Sequence, residues 1–296
     1  MPICLLPIRL LPIRLLPICL LPIAYFAYSP CLLPTYYTSQ IVPLRIMSNT
    51  DIIYGTRAVM EAIKAGKQIE KILVQTGLNN DLIRELTGVA REHSLPITYV
   101  PQEKLNRLSS NNKNHQGVIC MLSAITYASL NDLIDFAYSE GREPLFIILD
   151  RVTDVRNFGA IARTAECAGV EGIIIGDKGN APITSDAMKT SAGALNHLPV
   201  CREPDLKKTI KFLRDNGVMI VACTEKADKS IFEVAFNRPV ALIMGSEEDG
   251  ISDDLLRESD ELVKIPLKGK IGSLNVSVAT GVAIYEVVRQ KAINND

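Results

Sequence analysis

The chain has 296 residues, with 32 basic and 33 acidic side chains and a formal net charge of −1. This length fits two modest domains or one large one and leaves ample apolar content for a sizeable core. The near-neutral charge excludes binding to nucleic acid through a bulk basic field, so any RNA contact must come from local patches.

Residues 1–46 form an apolar leader that begins with a proline repeat. Units of LLPIR, LLPIC and LLPIA run to residue 24, with proline at every fifth position. Prolines at this spacing forbid a regular helix, which argues against a membrane span, and the segment lacks the shape of a secretory signal. We predict that the leader is not part of the fold and that Met47 is the natural start. A genuine disordered extension is the alternative.

Short strand and helix patterns alternate over residues 47–124. KILVQTG, PITYVP and GVICMLSAI have the pattern of strands, and DLIRELTGVAREHS that of an amphipathic helix. The alternation predicts a small α/β sandwich. Residues 125–144 are predicted to be a linker that contains one helix, Leu130–Tyr138.

A cleaner alternation over residues 145–296 predicts a second domain. Its apolar runs indicate about six buried strands in a doubly wound parallel sheet: LFIILD, VEGIIIG, HLPVCR, VMIVACT, Val240–Met244 and Leu262–Ile265. The last helix, which Ser273 or Asn275 could cap, follows the final strand. Ligands of such sheets bind beyond the carboxyl ends of the strands, which indicates the loops after Thr224, Met244 and Ile265.

Several common site types have no support in the sequence. No GxGxxG follows the first strand of the second domain and no GxxxxGK[ST] occurs, which argues against dinucleotide and P-loop enzymes and against Rossmann methyltransferases. There is no CxxC pair and there are only three histidines, so we predict no metal site. The cysteines beyond the leader are interpreted as buried, reduced thiols of a cytoplasmic protein: Cys120, Cys167, Cys201 and Cys223.

Three long segments carry a family resemblance over about half of the chain. LDRVTDVRNFGAIARTAECAGVEGII, IMGSEEDGIS and IPLKGKIGSLNVSVATGVAIYEVVRQ resemble motifs 1, 2 and 3 of the SpoU/TrmH (SPOUT) RNA ribose 2′-O-methyltransferases, in that order. The resemblance implies an α/β protein whose C-terminal domain is a trefoil-knotted parallel sheet that binds S-adenosyl-L-methionine. IYGTRAVMEAI and NHQGVICMLS resemble, more weakly, the family's small N-terminal L30e-like α/β domain, which binds the substrate.

The same resemblance implies a catalytic set. Its members are Arg163, Asn157, Glu247, Ser273 and Asn275. Arg163 matches the family's proposed catalytic residue, and Glu247 matches a buried glutamate that orients the site through Arg163 or Asn157. Arg163 follows Asn157 by six residues, and we expect the two near one helix face. Because arginine is normally locked in its charged form, steadying a phosphate or an alkoxide is physically easier for it than acting as a base.

Further residues are predicted to bind the cofactor or the RNA. Ile265 and Leu274 match family positions that hold the adenine, Thr224 ends a neighbouring strand, and Gly245 fits a close backbone approach to the cofactor. Other loop residues have less specific interpretations. Arg151, Arg156, Lys268 and Lys270 form either a phosphate-binding patch or ordinary solvated charge, Glu248 and Asp249 are read as solvated, and His115 contacts RNA or serves a turn.

The two-domain layout most resembles the family members that methylate a guanosine 2′-hydroxyl in 23S rRNA, the large-subunit RNA. A tRNA guanosine 2′-O-methyltransferase is the nearest alternative, although it typically lacks the L30e-like domain. A non-catalytic rRNA-binding protein is the alternative from another class. The resemblance also implies a homodimer that pairs through the C-terminal domains, and no membrane partner is expected.

A shortened chain that begins at Met47 should keep the thermal stability of the full chain and the activity that the resemblance implies. The reason is that the proline repeat shows no core pattern. Thermal unfolding of the two chains provides the comparison. A large drop in the midpoint of the shortened chain would show that the leader is structural.

Overall fold

The computed structural model describes residues 52–93, 95–109 and 114–294. The leader predicted over residues 1–46 lies outside the described residues. Within the described ranges, no helix has the length and apolar character needed to cross a membrane. The same ranges contain no group of three or more His, Cys, Asp or Glu side chains placed to hold a metal ion.

The first part of the chain, residues 52–122, folds as an N-terminal module around a four-stranded sheet. Its elements in chain order are β1 (Ile52–Tyr54), α1 (Thr56–Lys64), β2 (Ile69–Gln75), α2 (Asp81–Glu92), β3 (Ile97–Val100), α3 (Gln102–Leu108) and β4 (Val118–Leu122). The strand order is β1-β4-β2-β3, and β2 is antiparallel to β4 and parallel to β3. Separate apolar clusters cover the two faces of this sheet. The small α/β sandwich expected from the sequence is therefore present.

The second sheet has six strands and forms the C-terminal module, residues 145–294. The elements from residue 130 onward are α4 (Leu130–Ser139), β5 (Leu145–Asp150), α5 (Val155–Cys167), β6 (Gly172–Gly176), α6 (Ser185–Thr190), β7 (Val200–Glu203), α7 (Leu206–Asp215), β8 (Met219–Cys223), β9 (Val240–Gly245), α8 (Asp253–Glu258), β10 (Glu261–Val263) and α9 (Val276–Asn294). The strand order is β10-β8-β9-β5-β6-β7, and every pair is parallel. The predicted six-stranded parallel sheet is confirmed.

The central strand β5 shows why its sequence is uniformly apolar. All six residues of LFIILD are buried, and the five apolar ones alternate between two core clusters on opposite faces of the sheet. Ile147 packs in one cluster and Ile148 in the other. Because helices cover both faces, the strand has no solvent side and no alternating pattern. The strand ends at Asp150, on the edge where the loops that follow the strands meet.

The segment predicted as a linker packs against the C-terminal sheet. The backbone N–H of Ala128 donates a hydrogen bond to the carbonyl of Val200 at 2.8 Å. Helix α4 then buries Leu130, Leu133 and Ile134 in the second core cluster. Residues 125–144 thus hold to the C-terminal module through both backbone and apolar contacts.

The cysteines do not all share one environment. Cys120 and Cys201 are buried, and burial raises the pKa of each thiol to about 12, so both stay protonated at neutral pH. Cys223 as a whole is partly exposed, but its thiol group is buried, and this burial raises the pKa of the thiol as it does at the other two positions. Cys167, the last residue of α5, is exposed, so the prediction of a buried thiol is wrong at this position.

Candidate active site

The carboxylate of Glu247 joins three segments that are distant in sequence. Its Oε1 accepts hydrogen bonds from the Nδ2 of Asn157 at 2.7 Å and from the Nδ2 of Asn275 at 3.0 Å. The Nδ2 of Asn275 also lies 3.0 Å from the Oδ1 of Asn157. The three residues belong to the first turn of α5, the loop after β9 and the start of α9. A closed set of hydrogen bonds therefore ties these segments together at the carboxyl edge of the sheet.

Asn275 uses both ends of its amide. Its Oδ1 accepts from the backbone N–H of Ser277 at 2.9 Å and of Val278 at 3.4 Å, which caps α9. Its Nδ2 is then left to face Asn157 and Glu247. The cap predicted for this helix is therefore Asn275, whereas Ser273 is exposed and forms no hydrogen bond with the described residues.

One expectation about Glu247 is wrong, and a second offered two partners, of which the structure shows one. It is exposed rather than buried, because it lies in the loop beyond the end of β9. Its partner on α5 is Asn157 and not Arg163. Six residues turn a helix by roughly 600°, so the side chains of Asn157 and Arg163 diverge by about 120° and cannot share one face. Arg163 is exposed and forms no hydrogen bond or ion pair with the described residues.

Glycine is required at position 245 by the protein's own backbone, whereas the prediction was a close approach to the cofactor. A Cβ added there would lie 2.1 Å from the carbonyl carbon of Gly250 and 2.3 Å from the nitrogen of Ile251. The loop returns over Gly245 because Ser246 and Gly250 exchange two backbone hydrogen bonds of 3.1 Å. The glycine is therefore required by the chain's own loop, and the space over its Cα is not open to a ligand.

A network of ion pairs and hydrogen bonds joins the end of β5 to the loop after β9, and the sequence did not predict it. Buried Asp150 accepts a hydrogen bond from the backbone N–H of Ser252 at 2.7 Å and pairs with Arg151 at 3.2 Å. Arg151 also pairs with Asp249 at 3.1 Å and donates to the carbonyl of Gly250 at 3.1 Å. The prediction that Asp249 is only a solvated loop charge is therefore wrong, because Asp249 forms an ion pair with Arg151. A carboxylate at the end of an entirely apolar strand is the signal that could have identified Asp150.

The predicted phosphate-binding patch is smaller than expected, because the ion-pair network engages Arg151. The hydrogen bond that Arg151 donates to Asp150, followed by the charges of Asp150 and Asp249, raises the pKa of Arg151, and its guanidinium is engaged within the loop network. Arg156, Lys268 and Lys270 are exposed and form no side-chain hydrogen bond or ion pair with the described residues. Only these three remain available from the predicted patch.

A cleft of about 250 Å³ opens beside the Glu247 hydrogen bonds. Residues of the β5–α5 loop, the β9–α8 loop and the start of α9 line it, and its charged side chains are Arg151, Asp154, Glu247, Glu248 and Asp249. With four carboxylates and one arginine, the lining favours a cationic group over a phosphate. Of the predicted site residues, Asn157 and Glu247 line this cleft.

The predicted cofactor residues lie at the same edge of the sheet but outside the lining of this cleft. Thr224 follows β8 directly, and its backbone N–H donates to the carbonyl of Val263 at 2.8 Å. Ile265 packs partly against the core, and Leu274 is 39% exposed. Residues 266–274, all of them described, form no hydrogen bond with the rest of the described chain. Their backbone groups are thus available to a ligand.

His115 is explained by turn chemistry. Its Nδ1 accepts from the backbone N–H of Gly117 at 3.0 Å, and its Nε2 lies 2.8 Å from the Oδ1 of Asn106. The ring is buried and both nitrogens are used within the N-terminal module. Of the two interpretations given above, the structural one fits these contacts.

The sequence of the chain matches two family profiles that together span both modules. Residues 144–285 match the SpoU rRNA methylase family, and residues 52–128 match RNA 2′-O ribose methyltransferase substrate binding. The chain belongs to the SpoU rRNA methylase family. It is therefore a member of a methyltransferase family, with a parallel-sheet domain that follows an N-terminal substrate-binding domain.

Relatives and solved structures agree with this membership of the SpoU family. The chain is 33% identical over 241 residues to YacO of Bacillus subtilis, which is named as a TrmH family tRNA/rRNA methyltransferase; the match covers 81% of this chain and 96% of YacO. It is 35% identical over 245 residues to an uncharacterized tRNA/rRNA methyltransferase of Synechocystis, with 82% of this chain and 64% of that protein covered.

Two solved structures share the fold at 25% identity. The SpoU methyltransferase AviRb from Streptomyces viridochromogenes superposes with a TM-score of 0.52, over 82% of this chain and 90% of that one. An AdoMet-bound rRNA methyltransferase from Sinorhizobium meliloti superposes with a TM-score of 0.51, over 80% of this chain and 86% of that one. The predicted α/β fold of this family is thus confirmed.

Replacing Gly245 with alanine should lower the free energy of unfolding by about 1–3 kcal/mol, the usual cost of forcing an extra carbon into a packed site. The added Cβ would overlap the backbone of Gly250 and displace the loop that carries Glu247. Denaturant unfolding measures the change. Gly176→Ala is the matched control, because Gly176 ends the β6 strand and its Cβ would meet nothing closer than 3.6 Å. Equal stability of the two variants would contradict the proposed contact.

Proposed function

We propose that this protein methylates the 2′-hydroxyl of a guanosine in 23S rRNA, with S-adenosyl-L-methionine as the methyl donor, in the cytoplasm. Membership of the SpoU family supports the reaction class. The match of residues 52–128 to a substrate-binding profile supports an RNA that reaches beyond the C-terminal module. The observation that carries the proposal is the set of hydrogen bonds among Asn157, Glu247 and Asn275, which assembles all three resembling segments at one edge of the sheet.

The cofactor is proposed to bind at the loops that follow β8, β9 and β10. The unpaired backbone of residues 266–274 supplies donors and acceptors for the edge of an adenine, and the partly exposed side chains of Ile265 and Leu274 supply apolar surface for its face. The carboxylates of the neighbouring cleft suit a positively charged sulfonium. Bound there, S-adenosyl-L-methionine supplies the methyl group. Thr224 closes the side of this site next to β8, and Gly245 contributes by shaping the loop.

The residues of the chain must hold the ribose and stabilise its developing charge. A ribose hydroxyl is a weak nucleophile, so it has to be positioned and relieved of its proton. Arg163 carries an exposed guanidinium that no described residue engages. We assign to it the phosphate or the developing alkoxide of the target nucleotide, because its planar fork matches an oxyanion. Asn157 and Glu247 order the base of the site, and Ser273, next to the capping residue Asn275, faces the substrate.

The domain organisation and the knot are part of this proposal. An L30e-like RNA-binding domain spans residues 47–124, a linker spans 125–144 and a SPOUT domain spans 145–296. A trefoil knot formed by the segments before α9 is proposed on the ground that the chain belongs to the SpoU family. No metal takes part in the reaction proposed here.

A tRNA guanosine and a non-catalytic role in rRNA binding are the alternatives. Mass mapping of ribose methylation in 23S rRNA and tRNA, in a strain that lacks the gene, tests all three. Loss of one methyl group from a 23S guanosine is expected and should be restored by the purified protein with S-adenosyl-L-methionine. Loss from a tRNA would select the first alternative, and intact methylation of every RNA would select the second.

Arg163→Ala should slow methyl transfer by roughly a hundredfold or more, the scale of losing one donor to a transition-state oxyanion. Affinity for S-adenosyl-L-methionine should hardly change, because Arg163 is not part of the loops assigned to the adenine. Arg163→Lys should recover little, since an ammonium does not reproduce the planar fork. Single-turnover kinetics with saturating RNA and cofactor is the measurement.

Arg257→Ala is the control for Arg163, because Arg257 is exposed on α8 and its ion pair is with Asp254 of the same helix. This variant should methylate at the normal rate. A near-normal rate for Arg163→Ala would remove Arg163 from the site and leave Asn157 and Glu247 as the candidates for chemistry.

The active form is proposed to be a homodimer that pairs through α9. Val278 and Tyr285 lie two turns apart on one side of this helix and are 52% and 50% exposed, while Ala283, Ile284 and Val287 fill the core on the other side. Val278→Asp should therefore convert a dimer into a monomer in sedimentation equilibrium, and Phe232→Asp, at a side chain that is 54% exposed elsewhere, should not. A stable monomer of the unaltered chain at working concentration would refute the dimer.

A further inference from the structure

Within the part of the chain that the structure describes, the two modules do not share an apolar core. Both clusters of the N-terminal module consist of residues before β4 ends, and both clusters of the C-terminal module begin at residue 125 or later. A sheet with its own core on each face is free to take more than one orientation against its neighbour. The relative placement of the modules must therefore come from the connecting segment and from polar contacts.

One arginine makes the direct hydrogen bonds between the modules. In the described ranges, every hydrogen bond that joins residues 52–122 to residues 129–294 is donated by Arg202 of β7. Its Nη1 donates to the backbone carbonyl of Glu70 at 3.1 Å, and its Nη2 donates to the carboxylate of Glu70 at 2.6 Å. Glu70 belongs to β2, the inner strand that pairs with both β3 and β4.

Tyr127, in the connecting segment, completes this contact. Its hydroxyl donates to the Glu70 carboxylate and accepts from the Nη2 of Arg202. The guanidinium of Arg202 also lies 3.9 Å from the centre of the Tyr127 ring. Burial and the charge of Glu70 raise the pKa of Tyr127, so the phenol keeps the proton that it donates. We call Glu70, Tyr127 and Arg202 the interdomain clamp.

The burial of the clamp favours a role in orientation over one in stability. The side chains of Arg202 and Glu70 are only 12% and 7% exposed, so both charges have lost most of their water. The Nε of Arg202 is buried without a partner among the described residues. Pairs desolvated in this way add little net stability, but they are directional, and breaking one leaves an uncompensated charge. The guanidinium of Arg202 can therefore make all of these contacts in one orientation of the two modules and loses some of them in any other orientation.

We propose that Arg202 is a positioning residue that fixes the RNA-binding module at one orientation to the methyl-transfer site. This inference rests on the proposed function, since it assumes that the N-terminal module binds the same RNA that is methylated. It assigns no chemistry to Arg202, which lies on the edge strand β7, three strands away from β9 in the sheet. The expected effect is on the binding of the RNA and not on the cofactor or the chemical step.

Arg202→Met tests the clamp, with Arg142→Met as its matched control. Arg142 also pairs with a carboxylate, Glu171, and also lies over an aromatic ring, that of Phe136 at 5.2 Å, but all three residues lie outside the N-terminal module. The KM for the rRNA substrate should rise roughly tenfold or more in Arg202→Met, with kcat at saturating RNA and the affinity for S-adenosyl-L-methionine unchanged. Arg142→Met should leave all three values unchanged.

Glu70→Gln is the second variant, because it removes the charge of the carboxylate and keeps its shape. It should raise KM in the same way, and combining it with Arg202→Met should add little, since the two residues act as one unit. A rise in KM no larger than that of the control, or additive effects of the two changes, would overturn the proposal. A loss of kcat and of cofactor affinity together would also overturn it, because Arg202 would then support the C-terminal module itself.

X-ray scattering in solution separates this inference from the proposed function. The radius of gyration of Arg202→Met should exceed that of the unaltered chain, and that of Arg142→Met should not, whether or not any RNA is methylated. If the unaltered protein methylates no RNA, the proposed function fails while scattering still decides the clamp. An unchanged radius of gyration in both clamp variants would refute the clamp.

Discussion

The site depends on one carboxylate that binds two amides. Glu247 accepts from Asn157 and Asn275, which are 90 and 28 residues away in sequence, and the two asparagines are 118 residues apart. Charge-assisted hydrogen bonds of this kind are stronger than neutral ones. Asn157 lies in the first turn of α5 and Asn275 directly precedes α9, so the position of Glu247 sets where the two helices start relative to the loop after β9.

Two other contacts support that carboxylate. The backbone of Gly250 lies directly over Gly245, and no side chain larger than hydrogen fits between them. Beneath the loop, buried Asp150 accepts from Ser252 while Arg151 holds Asp249 and the carbonyl of Gly250. A short loop held from both sides keeps Glu247 in place even though its side chain is exposed. The rigidity of the site thus comes from backbone packing and ion pairs, not from burial of the glutamate.

Much of the fold could be predicted from the sequence, because the buried strands are continuous apolar runs. LFIILD and Val240–Met244 have no alternation, which predicts strands covered on both faces, and all residues of β5 are buried. The helix cap at Asn275 also follows from local chemistry. The pairing of Asn157 with Glu247 was one of two options left open by the resemblance, and the geometry of the α5 helix decides between them.

Other features depend on contacts that no local pattern reveals. Position 245 must be glycine because Gly250, five residues later, returns over it. The partners of Arg151 include Asp249, which is nearly a hundred residues later in the sequence. Cys167 is followed by the apolar segment AGV, but its position at the end of α5 leaves it exposed. The buried contact of Arg202 with Glu70 joins residues 132 apart, and a lone arginine in HLPVCR does not predict it.

A double-mutant cycle between Asn157→Ala and Asn275→Ala tests most directly whether Glu247 unites the three segments. Each variant should lower the single-turnover rate of methyl transfer, and the double variant should be little slower than the worse single one. The reason is that removing either amide already loosens the shared carboxylate. Glu247→Gln should show the same loss. If the two asparagine effects multiply instead, the residues act independently, and the hydrogen bonds to Glu247 do not hold the site together.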